Sequence, residues 1–450
     1  MNSRILKQTA HTAGIKLCIF AARIALVGWL AHLFAPEDYG AYAVIATINT
    51  FGVILVGLNL HNYLYRAAPG QPLERRVVIF KSTFLFEVVL SSVVVALFLG
   101  SGALGPVLRL LQAADYPHAF VTGLVLLVAL VAAAEVQHYL WAKTEIEQAN
   151  RMDLITQALW VLPLPVLWFL GVKIGVASVL AAQLLGVLLG IAYAFRWVER
   201  GLWWRTRPDG QVIRAALAFS LPMIVPGLSF YMLKLADRFL LAYYHGLSEA
   251  GLYSFAASLV NTLYSFSVMI IFGTMVPYVM EAHNRGDQPR RNLLLTYALK
   301  GSLVAFGVGA GLLLVLAHPI LALIARPEYV ASTRVLPLLM VGFFMIVAAY
   351  PAHYLLLLEN RTLLLMWIDL AGLAIGLALN FLLIPRYAYT GAAVASAIGF
   401  GLVAGAKTAF SRGWRHIGWR TLFSWRPEIN LLSQSIRSRR GRAAPVAVPE

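Results

Sequence analysis

Residues 221–244 read LPMIVPGLSFYMLKLADRFLLAYY. The stretch is apolar and long enough to cross a bilayer as a helix, which takes about 20 residues. Yet Lys234, Asp237 and Arg238 sit in its core, and helical spacing puts all three on roughly one face. A charge at membrane depth costs about 2.5–3.5 kcal/mol on insertion scales, so such residues face a cavity or a partner. Pro222 and Pro226 come just before, and proline in a membrane helix predicts a kink that neighbouring helices must accommodate. Two readings stand: a self-neutralising structural triad, or a cationic surface lining a polar chamber between helices.

Working outward, the whole chain has the composition of a polytopic helical membrane protein. Of its 450 residues 60% are hydrophobic and 12% charged, with a mean hydropathy of +0.75. A formal charge of +16 could indicate nucleic acid, but the basic residues cluster in alternate loops and in the tail. That is the positive-inside pattern, so no nucleic-acid partner is expected. Cys18 is the single cysteine; it reads as a small core residue, and no Cys/His spacing resembles a metal site. Arg4 and Lys7 precede an apolar run over residues 11–34. That run is too long for a signal-peptide core and predicts a retained first membrane helix.

Hydropathy and punctuation predict an all-α fold of about twelve transmembrane helices. They fall near 11–34, 41–64, 77–100, 117–142, 152–170, 174–198, 213–244, 249–280, 292–318, 331–357, 362–384 and 390–411. Most of the 36 Lys and Arg residues fall on one face, Lys407 among them as the start of a basic tail. The opposite face carries only Arg109, Lys173, Arg326, Arg334 and Arg386. Both termini are therefore expected in the cytoplasm of a bacterium, with the chain a multi-pass protein of its inner membrane.

The two halves repeat each other. Gly40 and Tyr42 after APEDYG match Gly251 and Tyr253 in HGLSEAGLY; His138-Tyr139-Leu140 returns as His353-Tyr354-Leu355, and Asn150-Arg151 as Asn360-Arg361. A shared order at near-constant offset predicts two six-helix bundles related by a pseudo-twofold, residues 1–198 and 213–411. A cytoplasmic linker (199–212) joins them and a basic tail (412–450) follows. Parallel repeats are a transporter plan in which substrate is handled at the repeat interface near mid-membrane. At the same offset Arg23 corresponds to Lys234, so each half places a cation near the middle of its first helix. Arg23 has no acidic residue within one helical turn.

The remaining intramembrane ionisable residues are Glu87, Glu135, Lys300 and Asp369. Glu135 and His138 share a helical face and form a candidate proton-exchanging pair. Asp369 is a second coupling candidate, while Glu87 and Lys300 read as locally structural. His61, Asn62, Tyr63 and Tyr65 form a polar-aromatic cluster that suits sugar contact or a membrane-interface belt. In the tail, Trp414, Trp419 and Trp425 interleave with arginines; this suits membrane lipids at the inner headgroup region, the last residues being disordered. No phosphate-cradling, nucleophile-elbow or dinucleotide motif is present.

FAPEDYGAYA, LPMIVPGLSFYMLKLADRFLLAYYHGLSEAGLYSFA and IPRYAYTGAAVASAIG together resemble the Wzx-type polysaccharide and O-antigen flippases. These belong to the multidrug/oligosaccharidyl-lipid/polysaccharide (MOP) exporter superfamily. The likeness covers about residues 5–410; Asp237-Arg238 followed by Gly246 and Gly251-Leu252-Tyr253 is its most specific part. It implies a MATE-like (MOP) fold with a central cationic cavity. It also implies translocation of undecaprenyl-pyrophosphate-linked oligosaccharide for O-antigen, capsule or exopolysaccharide, by alternating access. The related peptidoglycan-precursor flippases carry two further helices where this chain has a polar tail.

The expected function is thus a lipid-linked oligosaccharide flippase, not an enzyme. Arg23, Lys234 and Arg238 would meet the anionic headgroup, with Asp237, Glu135, His138 and Asp369 in charge balance or coupling. His61, Asn62 and Tyr65 would touch sugar. No cofactor or metal is expected; coupling to H+ or Na+ is open, and a polymerase and a chain-length regulator are the expected protein partners. The alternatives are a drug or cation exporter of the same superfamily, which would favour an acidic chamber, and a polyprenyl-linked glycosyltransferase or polymerase. Glu37-Asp38 in the first outer loop, as a metal-holding pair, is the one feature that favours the enzyme.

Overall fold

The computed structural model describes residues 3–417; residues 418–450, with Trp419, Trp425 and most of the predicted basic tail, lie outside the described residues. Among the described residues all regular structure is helical. The long helices are α1 (Ser3–Leu33), α2 (Pro36–Leu55), α3 (Leu73–Gly100), α4 (Pro117–Ala142), α5 (Ile146–Gln157) and α6 (Val176–Ala194) in the first half. The second half has α7 (Gly210–Leu235), α8 (Asp237–Asn284), α9 (Gln288–Ile324), α10 (Leu336–Leu358) and α11 (Thr362–Phe410).

Among the described residues ten stretches are long and apolar enough to cross a membrane, and two of these, Gly210–Val268 and Thr362–Phe410, run for 59 and 49 residues. At about 1.5 Å per residue, each is roughly twice the length of a bilayer core. Each also contains a reversal. Gly246 (φ 85°) interrupts α8 and Ala388 (φ 47°) interrupts α11, so the ten stretches make twelve crossings. The predicted loop HGLSEAGLY thereby shrinks to one residue of non-helical backbone. Glycine suits that place because positive φ carries no Cβ penalty there. The side chain of Gln112 closes the break by donating from Nε2 to the Tyr243 carbonyl at 2.9 Å.

Other predicted spans are broken rather than continuous. The second ends at Leu55, passes through Leu58 and Asn59 at positive φ (52° and 55°), and resumes as the short helix His61–Ala67. The fifth is interrupted after Gln157 by a 3-10 turn and resumes at Pro163, because a proline has no N–H to continue the ladder. APEDYG is not an open loop: α2 starts at Pro36, and Asp38 accepts from the Ala35 N–H at 3.3 Å and from the Tyr116 hydroxyl at 2.9 Å. The acidic pair Glu37-Asp38 thus begins a helix, which removes the feature that favoured an enzyme. Cys18 is exposed, not in the core.

The two halves of the chain, α1–α6 and α7–α11, meet most closely where α2 crosses α8 on the charge-poor face. A Cβ on Gly40 would lie 2.0 Å from the Leu247 carbonyl oxygen, and one on Gly251 would lie 1.8 Å from that of Pro36. Leu247 stands to Gly251 as Pro36 stands to Gly40, so the two contacts are copies of each other. This reciprocal pattern is what a twofold axis through the crossing produces. Around it Tyr39, Phe255 and Tyr329 form a buried cluster with ring centroids 4.9–6.0 Å apart. Arg326 donates from Nη2 to the Leu33 carbonyl at 2.8 Å, and Tyr329 from its hydroxyl to Phe34 at 3.2 Å. A residue of one bundle thus satisfies the free carbonyls at the end of α1 in the other. On the basic face Asp209 caps α7 and pairs with Arg75 at 2.9 Å. The Arg75 guanidinium and the Gln211 N–H hold its carboxyl below the usual carboxylate range.

Because backbone stands where a Cβ would go, Gly251→Ala must separate α2 from α8. The expected outcome is a fall in thermal stability of about 1–3 kcal/mol, read by thermal unfolding in detergent. Unchanged melting would show that the two bundles do not rest on this crossing.

Candidate functional site

Helix α1 presents Arg23 and α7 presents Lys234, the repeat-related cations. Arg23 is exposed on α1. Its Nη2 donates to Gln157 Oε1 at 2.7 Å. Gln157 in turn donates to Asp153 Oδ1, also at 2.7 Å. Asp153 is buried and further held by Lys16 at 2.6 Å and Gln137 at 2.7 Å. Arg23 is therefore oriented by a chain of polar groups on α5 without an ion pair of its own. Gln157 lies 134 residues from Arg23 in sequence and, like Asp153, on another helix, so only folding reveals them.

Lys234 is half-buried, donates to Asn261 Oδ1 at 2.7 Å, and lies 5.1–5.7 Å from the ring centres of Phe230, Tyr264 and Phe343. Rings and an amide stabilise an ammonium without neutralising it. Among the described residues neither Arg23 nor Lys234 makes an ion pair with a carboxylate. They lie within electrostatic reach of each other across the two bundles, and Arg23 likewise reaches the C-terminal bundle's Tyr231.

The expected triad divides. Its other members turn inward: Asp237 is 1% and Arg238 7% exposed. Asp237 accepts hydrogen bonds from the Tyr253 hydroxyl and, at 3.1 Å, from Ser396 Oγ, while Arg238 Nε donates to Ser254 Oγ at 3.2 Å. Arg238 is therefore not on an open wall. Its place between α7, α8 and α11 is a polar clasp, and Lys234 alone of the three stays accessible. Ala236 keeps helical angles (φ −67°, ψ −24°), so the helix runs on; what differs is the cover, since Tyr253 and Ser254 after the reversal at Gly246, and Ser396 of α11, close over Asp237 and Arg238.

Glu135 and His138 share a helix but are not brought together. Glu135 is fully buried beside Thr83, at 3.4 Å, and Glu87, whereas His138 packs its ring 4.4 Å from His61 and 4.8 Å from Trp141. Glu87 Oε1 accepts the Leu60 N–H at 2.9 Å, which ties it to the break in the second span. His61 and Tyr65 pack their rings beside His138, and Tyr65, which stays exposed, also meets Trp141. The structure brings them together as a ring cluster of the N-terminal bundle; Asn62 is half-buried beside it. Lys407, counted above with the basic tail, is buried in α11 and pairs with Asp369 at 2.8 Å. Asp369 stands at close to the repeat offset from Asp153.

Among the described residues no three His, Cys, Asp or Glu side chains are placed to hold a metal ion. A cavity of about 620 Å³ on the basic face, between Arg291, Glu359, Arg361 and Arg412, is remote from Arg23 and Lys234.

The family described as polysaccharide biosynthesis protein matches residues 6–283. A MATE multidrug transporter of the MOP superfamily, in an inward-facing conformation, superposes with a TM-score of 0.69 at 14% identity, over 91% of this chain and 98% of that one. The lipid II flippase MurJ, in an inward closed conformation, gives 0.70 at 12% identity over 88% and 86%. The multidrug transporter DinF-BH gives 0.65 at 15% identity over 92% and 97%. No curated protein sequence matches significantly. At these identities the structural likeness establishes the fold, an all-α MOP-type arrangement.

Tyr253→Phe removes a donor from a buried carboxylate and is expected to lower stability by about 1–3 kcal/mol, read by thermal unfolding in detergent. Arg23→Gln, on an accessible wall, should leave the melting temperature unchanged. Equal stability of Tyr253→Phe and the parent would mean that the clasp does not hold the helices.

Proposed function

This chain belongs to the polysaccharide biosynthesis protein family, and we propose that it is a lipid-linked oligosaccharide flippase. Its cargo is an undecaprenyl-pyrophosphate-linked repeat unit, moved from the inner to the outer leaflet of the cytoplasmic membrane of a bacterium. The observation that carries this reading is the pair Arg23 and Lys234: two cations, one from each bundle, in reach of each other and without a carboxylate partner. A pyrophosphate is the complementary charge, and in a cleft of low dielectric it is attracted far more strongly than in water. A drug or cation exporter would need the opposite sign there.

Alternating access follows from the α2–α8 crossing. In the present state the bundles touch on the charge-poor face, the periplasmic side on the positive-inside argument. Release to that side requires Gly40 and Gly251 to part while the bundles close on the basic, cytoplasmic face that carries both termini. A coupling ion (H+ or Na+) would release the headgroup and prevent its trapping; Asp237, clasped by Tyr253 and Ser396, is placed to hold the helices instead. The polyprenyl chain stays in membrane lipid, and a polymerase and a chain-length regulator take the product. The fold serves transport rather than catalysis.

Loss of one charge-assisted contact to phosphate weakens binding by about 1.5–3 kcal/mol, roughly 10- to 100-fold. Arg23→Ala and Lys234→Ala are each expected to stop surface polymer formation and to accumulate lipid-linked repeat units in the inner leaflet, with normal membrane insertion. Full complementation of a flippase-deletion strain by either variant would overturn the assignment.

A further inference from the structure

Asp153 and Asp369 each meet a lysine, Lys16 at 2.6 Å and Lys407 at 2.8 Å. Their surroundings differ. Asp153 also accepts hydrogen bonds from Gln137 and Gln157, so its oxygens are satisfied. Besides Lys407, no group among the described residues is seen to donate to the buried Asp369, so this carboxylate keeps acceptor capacity unused.

In front of Asp369 lies a cavity of about 430 Å³. Rings of Tyr231, Tyr264 and Tyr350 form its walls, and Asp369, Lys407 and His353 line its polar side. The His353 Nδ1 lies 3.4 Å from the Lys407 ammonium. Tyr264 belongs to two sites at once: it lines this cavity and lies 5.1 Å over the Lys234 ammonium.

We infer that this cavity in the C-terminal bundle is a subsite for a neutral sugar ring of the cargo glycan, next to the place where its pyrophosphate would meet Lys234. The inference rests on the flippase reading above. Its chemistry selects among occupants. A hydrocarbon chain would leave the unused donor and acceptor positions of the Asp369–Lys407 pair empty. An anion would be repelled by the carboxylate and a cation by the ammonium. A sugar hydroxyl donates to one and accepts from the other, while the apolar face of the ring packs on tyrosine. A few polar groups in an aromatic-walled cavity are the usual build of a small-molecule site.

The test compares two lipids on the full-length chain in nanodiscs: bare undecaprenyl pyrophosphate, and the glycan-bearing form isolated from cells lacking the transporter. The parent is expected to bind the glycan-bearing form about tenfold tighter. Asp369→Asn combined with Lys407→Gln removes both charges together and leaves no lone buried ion; Met366→Trp fills the cavity instead. Each should bring the two affinities to within about twofold, with bare-lipid affinity and melting temperature retained. The subsite is overturned if the preference survives in a folded variant, or if bare-lipid binding falls equally, which would make the pair structural. Should the double variant not fold, Met366→Trp alone decides. Free oligosaccharide is the third arm: competition against the glycan-bearing lipid places recognition in the sugar, and no competition at saturating concentration overturns it. If the parent binds neither lipid, or Arg23→Ala leaves bare-lipid affinity unchanged, the flippase reading itself fails.

Discussion

Two glycines without side chains decide how the two bundles meet. Where α2 crosses α8, the carbonyls of Pro36 and Leu247 lie in the space that a Cβ on Gly251 or Gly40 would take. Nothing bulkier fits, and van der Waals contact at such a crossing is a main source of helix association where lipid removes the hydrophobic driving force. The twofold axis through this contact places the first helix of each bundle on either side of one cleft. The sealing of α1 by Arg326 and Tyr329 follows from the same approach.

The treatment of buried charge then separates structure from site. Lys16 with Asp153 and Lys407 with Asp369 are neutralised in pairs. Asp237 and Arg238 are clasped by hydroxyls of Tyr253, Ser396 and Ser254. Arg23 and Lys234 instead receive amides and rings, which hold the side chains in place and leave their charge available. An uncompensated cation at membrane depth is costly. Its retention at two symmetry-related positions is the physical ground for assigning an anionic cargo.

The repeat is a scaffold on which the halves have diverged. The glycine crossing and the first-helix cations are kept in register, whereas the two lysine-paired aspartates sit in different surroundings. Around Asp153 glutamines saturate the acid; an aromatic-walled cavity faces Asp369. The helix breaks differ as well: Leu58 and Asn59 interrupt the second span, while Gly246 and Ala388 reverse the chain between spans.

Length, hydropathy and the near-constant offset between halves made the membrane class, the twelve crossings and the repeat legible without coordinates, because each depends on local composition or on order along the chain. The correspondence of Arg23 with Lys234 was legible for the same reason. Helical periodicity could not foresee that Asp237 and Arg238 are covered by hydroxyls of α8 and α11, or that Glu135 and His138 face different helices. Nor could it join Arg23 through Gln157 to Asp153, or take Lys407 from the tail into a buried pair with Asp369. Those facts depend on packing between segments separated along the chain, which local periodicity does not carry. Sequence by itself therefore determined which charges enter the membrane, and tertiary packing alone decided which of them remain unpaired.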